Sequence, residues 1–341
     1  MTTPDKIDPR IKLLSYSSLL TLHACPRKFE LYRLKATEDE LNPEAACNQN
    51  VTFAFGHVVG DGMQQVLLGL DEDKIIFKMF CDWYADLADA NPKQAKSFYA
   101  AVTAVQRFIA LREQGLLADW ELLYHNGKPA VELSFVITFP DGFKMRGSLD
   151  AVLKHKHTGE IMVFEGKTSS SSALNPVTYK NSAQGVGYSV ILDVIAPEIS
   201  SYKVMYMVYL TKQQTFEPLS FPKTYLQRAT WIQELLLDIE MIKLYESHGV
   251  YPMHGESCAD WGRDCEYLTQ CGLNNKYVTK EFTGTIEELD PKVYDIQLTL
   301  MDMLNSQFSK NSSDLETIAS STIDTVDAGS DDNILLDGDL L

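Results

Sequence analysis

Gly147-Ser148-Leu149-Asp150 and, one strand later, Ile161-Met162-Val163-Phe164-Glu165-Gly166-Lys167-Thr168 are the stretches on which the fold turns. The unbroken apolar run 161–164 follows a His157-Thr158-Gly159 turn and reads as a buried strand. In extended backbone, residues two apart share a face, so Glu165 and Lys167 point the same way at that strand's end. Upstream, Val131, Leu133, Phe135, Ile137 and Phe139 alternate with more polar neighbours, the period of a half-buried strand. Pro140-Asp141-Gly142 then turns into a strand from Phe143 to His155, which carries Asp150. The expectation is a three-strand meander bringing two carboxylates and a lysine together at a sheet edge.

Helical patterns surround it. Tyr16 to Arg33 reads as one helix capped by Ser17-Ser18 and closing on a basic face of Arg27, Lys28 and Arg33. Phe55 to Gly69, Lys74 to Ala90 and Pro92 to Gln114 follow, the last two parted by Asn91-Pro92. After the meander come a helix (Ser182 to Val194), a strand (Tyr202 to Leu210) and a long helix (Lys223 to His248). This order implies an α/β fold with a mixed central sheet flanked by helices and an N-terminal helical region. One folded unit is expected over 1–305, with a helical region at 51–117, a core at about 130–250 and a cysteine-rich segment at 256–272. Residues 306–341 are Ser/Thr/Asp-rich with few large apolar groups and are expected to be a disordered acidic tail.

Apolar residues make up 45% and charged residues 23% of the 341, an ordinary globular composition. No apolar run approaches the roughly 18 residues of a membrane span. Met1 to Arg10 has no apolar centre of the secretory kind, so a cytoplasmic protein is expected. A net charge of −17 speaks against bulk electrostatic coating of nucleic acid, but not against an enzyme with acidic ligands and local basic patches. Eight acids against Lys310 put −7 of that charge in 306–341. Acids and aliphatics interleave from Asp331 to Leu341, a pattern that suits a segment folding onto a partner protein or a tethered polyanion competing with a bound ligand.

Two carboxylates and a lysine in this arrangement suit phosphodiester hydrolysis. Asp150 and Glu165 would hold Mg²⁺ or Mn²⁺, and Lys167 would steady the attacking water or the developing charge. By itself D…E-x-K is a short pattern that strand-end surface residues also produce. Six cysteines occur, and Cys258, Cys265 and Cys271 fall within fourteen polar-rich residues, which in a reducing compartment points to metal rather than disulfides. Cys47 and Cys81 have no partner pattern and read as ordinary buried or partly buried residues.

The whole constellation resembles the RecB/Cas4-like exonucleases of the PD-(D/E)XK superfamily, phage-encoded members above all. The resemblance is carried by Glu132, Gly147-Ser148-Leu149-Asp150 and Glu165-Gly166-Lys167-Thr168, with Gln184 to Tyr188 downstream as Q-x-x-x-Y. It extends to Ser17-Ser18-Leu19, Cys25-Pro26-Arg27-Lys28-Phe29 and the three late cysteines with Trp261-Gly262-Arg263 between them. It implies a restriction-endonuclease-like core and a metal-dependent DNA exonuclease in phage recombination, replication or repair, located in the host cytoplasm. Catalysis would rest on Asp150, Glu165, Lys167, Gln184 and Tyr188. The metal would sit on Asp150, Glu165 and Gly166, with Glu132 and His57 as further candidates. Cys25, Cys258, Cys265 and Cys271 would hold a [4Fe–4S] cluster, with structural zinc as the alternative. Arg27, Lys28, Arg33, Tyr179 and Lys180 would touch DNA.

Two departures stand out. The family's helical G-x-x-x-H ends here on Gly60, leaving His57, three residues earlier, and Asp61 as substitutes. The first cysteine gap, Cys258 to Cys265, is wider than is common among Cas4-like members. The missing histidine leaves a second reading, a non-catalytic DNA-end-binding or assembly protein that keeps the fold.

Overall fold

The Asp8 carboxylate accepts the Arg10 N–H at 2.9 Å and caps α1 (Pro9–Lys12), which feeds β1 (Leu13–Leu14). The structure is a computed structural model that describes residues 7–40, 51–83, 95–197, 202–260, 263–272 and 283–306. The tail 307–341, Cys47, the Asn91-Pro92 break and Trp261-Gly262 lie outside the described residues.

The single helix expected over 16–33 is two. Ser15, not Ser17-Ser18, caps α2 (Tyr16–Ala24): Ser15 Oγ accepts from Ser18 N–H at 3.3 Å while Ser15 N–H donates to Ser18 Oγ at 2.8 Å. Cys25 ends α2 in extended backbone, and Pro26, which has no N–H to give, opens α3 (Pro26–Glu40). Then come α4 (Val51–Leu67), α5 (Glu72–Cys81) and α6 (Phe98–Glu113). The sheet-forming part follows as β2 (Trp120–Leu122), β3 (Val131–Thr138), β4 (Lys144–His155) and β5 (Ile161–Ser169). After α7 (Pro176–Lys180) and α8 (Ala183–Ile195) come β6 (Tyr202–Leu210), β7 (Thr215–Lys223), α9 (Tyr225–His248) and β8 (Ile296–Thr299).

The eight strands form one mixed sheet in the order β8-β3-β4-β5-β6-β7, with β1 and β2 also paired to β4. The meander β3-β4-β5 is antiparallel; β5–β6, β8–β3 and β1–β4 are parallel. Asp150 and Glu165 therefore stand on the two middle strands, not at a sheet edge. Among the described residues no helix is long and apolar enough to cross a membrane.

Both faces of the sheet are covered, so β3 is buried on both sides rather than half-buried, from Leu133 to Ile137. On one face α2, α3, α8 and α9 pack over Ile161, Val163, Val204 and Val208. On the other, α4 to α6 pack over Met162, Phe164, Met207 and Tyr209. The alternation slips phase at one place. Met145 and Leu149 of β4 face the first core, Ala151 and Leu153 face the second, and Val152 returns to the first. Opposite this slip on β3, Glu132 has φ of 49°, a left-handed conformation that non-glycine residues rarely adopt. A buried pair, Arg228 Nε to Asp193 Oδ2 at 2.8 Å, locks α9 to α8.

Candidate active site

Glycines bring α4 onto the middle of the sheet. A Cβ on Gly56 would stand 3.5 Å from Thr168 Oγ1, and one on Gly166 would meet Gly60 Cα at 3.7 Å and Met63 Cε at 2.5 Å. Helix and strand thus lie in contact at 166–168, and a Cβ at Gly166 would require Met63 to shift. At the same level the β4–β5 ladder ends with Ala151 opposite Phe164, so the strands part just where Asp150 and Glu165 follow. The fork opens a cavity of about 560 Å³ walled by β3, β4, β5, α4, α5 and the start of α8.

Its polar groups form a connected set. Asp150 Oδ2 accepts the Gly166 N–H at 2.8 Å. Lys167 Nζ donates to Glu165 Oε1 at 2.6 Å and to Gln184 Oε1 at 3.1 Å, and Gln184 Nε2 donates to the Tyr188 hydroxyl at 2.6 Å. Tyr188 is buried and packs edge-on against Tyr16 with ring centroids 5.2 Å apart. Glu132 accepts from Gln64 Nε2 at 2.5 Å and Ser148 Oγ at 2.9 Å. The expected shared face of Glu165 and Lys167 is therefore present, and Gln184, Tyr188 and Glu132 come to the same place. His57 is exposed on the cavity rim. Asp61 is engaged by Lys78 Nζ at 2.5 Å, and Lys78 also reaches Asp82 at 2.8 Å.

Burial, then the neighbouring Glu165, pushes Asp150 up to about 8, opposed by the Gly166 N–H and Lys167. Glu165 is raised too, by burial first, with Lys167 working against the rise. Crowded buried carboxylates of this kind are stable as anions only beside added positive charge. The donor chemistry fits a hard divalent cation: carboxylate oxygens and a main-chain carbonyl at Gly166. Glu165 Oε2 is buried and has no hydrogen-bond partner, the one carboxylate oxygen so stranded in a set where Gln64 Oε1 is also left without a donor. Among the described residues no three side chains stand as a closed metal cage, since Asp150, Glu165 and Glu132 each hold a protein donor. Asp150, Glu165 and Gly166 are the groups that would take Mg²⁺ or Mn²⁺.

The cysteines also meet. Cys25, Cys258, Cys265 and Cys271 line one small cavity of about 50 Å³, together with Lys28. The two ends of the chain are stitched there by Arg27 N–H to the Pro252 carbonyl at 3.0 Å and Ser257 Oγ to the Ala24 carbonyl at 2.7 Å. Burial, then nearby Cys25, Cys258 and Cys265, raises the Cys271 thiol. As described, the four sulfurs do not form a closed metal site. Cys81 is exposed, contrary to the buried or partly buried position expected for it.

The expected basic face of α3 is not one. Arg27 is buried against Glu30, and Arg33 is buried with Nε on the Arg10 carbonyl at 2.8 Å, so both spend their charge inside the fold. Lys28 belongs to the cysteine cavity. Tyr179 is half-buried on Tyr206, with Lys167 close enough to oppose the burial that raises its hydroxyl, while Lys180 is exposed. Gln64, Ser148 and Lys78 are the groups that sequence reading missed. Gln64 had a signal, the spacing of four from Gly56 to Gly60 to Gln64 along one helix face.

No curated protein matches the chain. The solved crystal structure of SSO0001 is similar to it at 17% identity, covering 42% of this chain and 64% of that one with a TM-score of 0.23, too slight a likeness to carry an argument. A family model does match, over residues 13–272, a span that holds every group of the carboxylate cavity and all four clustered cysteines. With 260 of 341 residues covered, the chain belongs to the PD-(D/E)XK nuclease superfamily.

Proposed function

We propose that this nuclease is a divalent-metal-dependent deoxyribonuclease of the RecB/Cas4-like type, an exonuclease serving phage DNA recombination, replication or repair in the host cytoplasm. Residues 1–305 are the nuclease unit in this reading. The observation that carries it is Glu165 Oε2, a buried acceptor without a donor, beside Asp150 and within reach of Lys167. Bound there, Mg²⁺ or Mn²⁺ supplies Lewis-acid stabilisation of charge on the phosphate. Lys167, held by Glu165 and Gln184, orients the water whose oxygen attacks phosphorus as the bond to the leaving sugar oxygen breaks. Tyr188 fixes Gln184, and through it Lys167. Tyr179, close to Lys167, and the exposed Lys180 would contact phosphates of the bound strand.

The four cysteines are proposed to hold a [4Fe–4S] cluster, with zinc as the alternative; their common cavity supports a shared ligand. The acidic stretch 306–341 is read, on its sequence alone, as a docking or DNA-competing segment. Gly60, which offers no ligand atom, favours one rival: a DNA-end-binding protein without cleavage. Purified protein incubated with end-labelled single- and double-stranded DNA, with Mg²⁺, Mn²⁺ or EDTA, separates them. Metal-dependent release of label that EDTA stops supports the nuclease, and release one nucleotide at a time supports the exonuclease. End binding without cleavage in either metal overturns both.

A further inference from the structure

Lys167 and Gln184 have a second side. Across them from the carboxylate cavity lies a cleft of about 600 Å³ between α2, α9 and the start of α8, and the two cavities share these residues as a common wall. The cleft's chemistry differs from its neighbour's. Its floor is apolar, made by Tyr16, Trp231 and Leu235, and Leu20 stands at its rim 72% exposed. At its far end Asp238 holds His23 at 2.8 Å, and Glu234 is exposed beside them.

We infer that this cleft receives the base of the nucleotide next to the scissile phosphate, a base that must be unpaired to enter it. The inference rests on the nuclease reading of the neighbouring cavity and adds the ligand. At the far end Glu234 disfavours a phosphate beside the His23–Asp238 pair, whereas the exocyclic amino groups of a base are donors that carboxylate oxygens accept. A base also has the flat apolar surface that an aromatic and aliphatic floor binds, and stacking of this kind tolerates any base. The volume is that of a small-molecule site, enough for one nucleotide and its water and far too small for a duplex. A paired base has its Watson–Crick edge occupied and cannot enter, so the strand must be single or frayed. With the base seated, its own phosphate lies toward Lys167, where the two cavities meet.

The test is a single-stranded oligonucleotide in which one abasic residue is moved stepwise along the sequence, cut by wild-type protein and by Leu20→Gln. Leu20 is exposed, so the change leaves the fold intact, which thermal melting verifies. With wild-type protein, one abasic position beside the cut should lower kcat/KM roughly 5- to 100-fold, as loss of a stacked base does. Leu20→Gln should lower kcat/KM on intact DNA about 5-fold and have no further effect on that one abasic substrate. Such non-additivity is the signature of direct contact, which a merely structural effect of the substitution would not produce. The proposal is overturned if cleavage is indifferent to the abasic position, if the two effects multiply, or if blunt duplex is cut as fast as single strand. Absence of cleavage on every DNA would instead strike the nuclease reading beneath it.

Discussion

The Gly166 backbone N–H donates to Asp150 Oδ2 at 2.8 Å across the fork where β4 and β5 part. One acid is thereby positioned by the backbone of the residue between the other acid and the lysine. Glu165→Ala or Lys167→Ala should lower cleavage by at least about 10²-fold, the scale of losing a preorganised charge-stabilising group. Neither should unfold the protein: Glu165→Ala relieves the crowding of buried carboxylates, and without Lys167 the buried Glu165, already raised by burial, can take up a proton. Endonuclease and exonuclease assays beside melting curves check this, and wild-type cutting by both variants would place the chemistry elsewhere.

Gly60 lies mid-helix, and a Cβ there would meet no atom within 4 Å. Gly60→Ala should therefore stabilise the protein by about 0.5–1 kcal/mol, the helix-propensity difference alone. Gly60→His should fold equally well and place an imidazole where the related nucleases carry one. Mn²⁺ titration by calorimetry should then show tighter binding than in the wild type. Unchanged affinity would mean that this helix face does not look onto the metal.

The meander was legible because three apolar runs are separated by two unmistakable turns, and with it the juxtaposition of Asp150, Glu165 and Lys167. β7 was not, because Pro218 and Pro222 argue against a strand; it is tolerated as the outermost strand of the sheet, where one edge needs no partner. β8 was hidden by length, four residues whose partner β3 lies more than 150 positions away. Arg27 and Arg33 were misread for a related reason. Charged residues on a helix usually face water, but Arg33 reaches the Arg10 carbonyl, a contact that only the docking of α1 on α3 creates. Gln64 and Lys78 enter the site for the same kind of reason, Gln64 from α4, whose glycines face β5, and Lys78 from α5, which packs on α4.

His23 and Asp238 tie α2 to α9 at 2.8 Å. The hydrogen bond to Asp238 raises the His23 pKa above 6.5, against the effect of burial and helped by the charges of Asp238 and Glu234. A raised folded-state value means that the stabilisation is complete below about pH 6.5 and is lost as pH climbs through the folded pKa. His23→Gln should cost stability at pH 5 and almost none at pH 9. The size stays within about 1 kcal/mol because His23 is largely exposed. Urea midpoints at the two pH values measure it, and an equal cost at both would deny the imidazolium–carboxylate bond.

If the four cysteines share a ligand, losing it loosens both ends of the nuclease unit at once, since Cys25 joins α2 to α3 while the others follow α9. Anaerobically purified protein should be brown, with the broad visible absorption of an iron–sulfur cluster. Cys258→Ser should be colourless and melt at lower temperature, because energy of binding to a site absent from the unfolded chain is folding energy. A colourless wild type carrying one zinc would refute the cluster and keep the staple. No metal at all, with an unchanged melting point for Cys258→Ser, would refute both.

Arg228 and Asp193 offer the sharpest stability test, because neither side chain is more than 2% exposed. Arg228 also donates to the Lys223 carbonyl at 2.7 Å and lies over the Tyr202 ring, so its guanidinium cannot swing out to water without leaving a hole between α8, α9 and β6. Asp193→Ala strands that charge and should destabilise by about 3–5 kcal/mol, the cost of an unpaired buried ion. The comparison that isolates the cause is the double variant Asp193→Leu with Arg228→Met. It removes both charges and fills the space, and should recover most of the loss or exceed the wild type, since desolvating an ion pair often costs more than its attraction returns. Chemical denaturation of the wild type and the two variants makes the comparison. If the double variant is as unstable as Asp193→Ala, the loss comes from the packing of α8 on α9 rather than from the stranded charge.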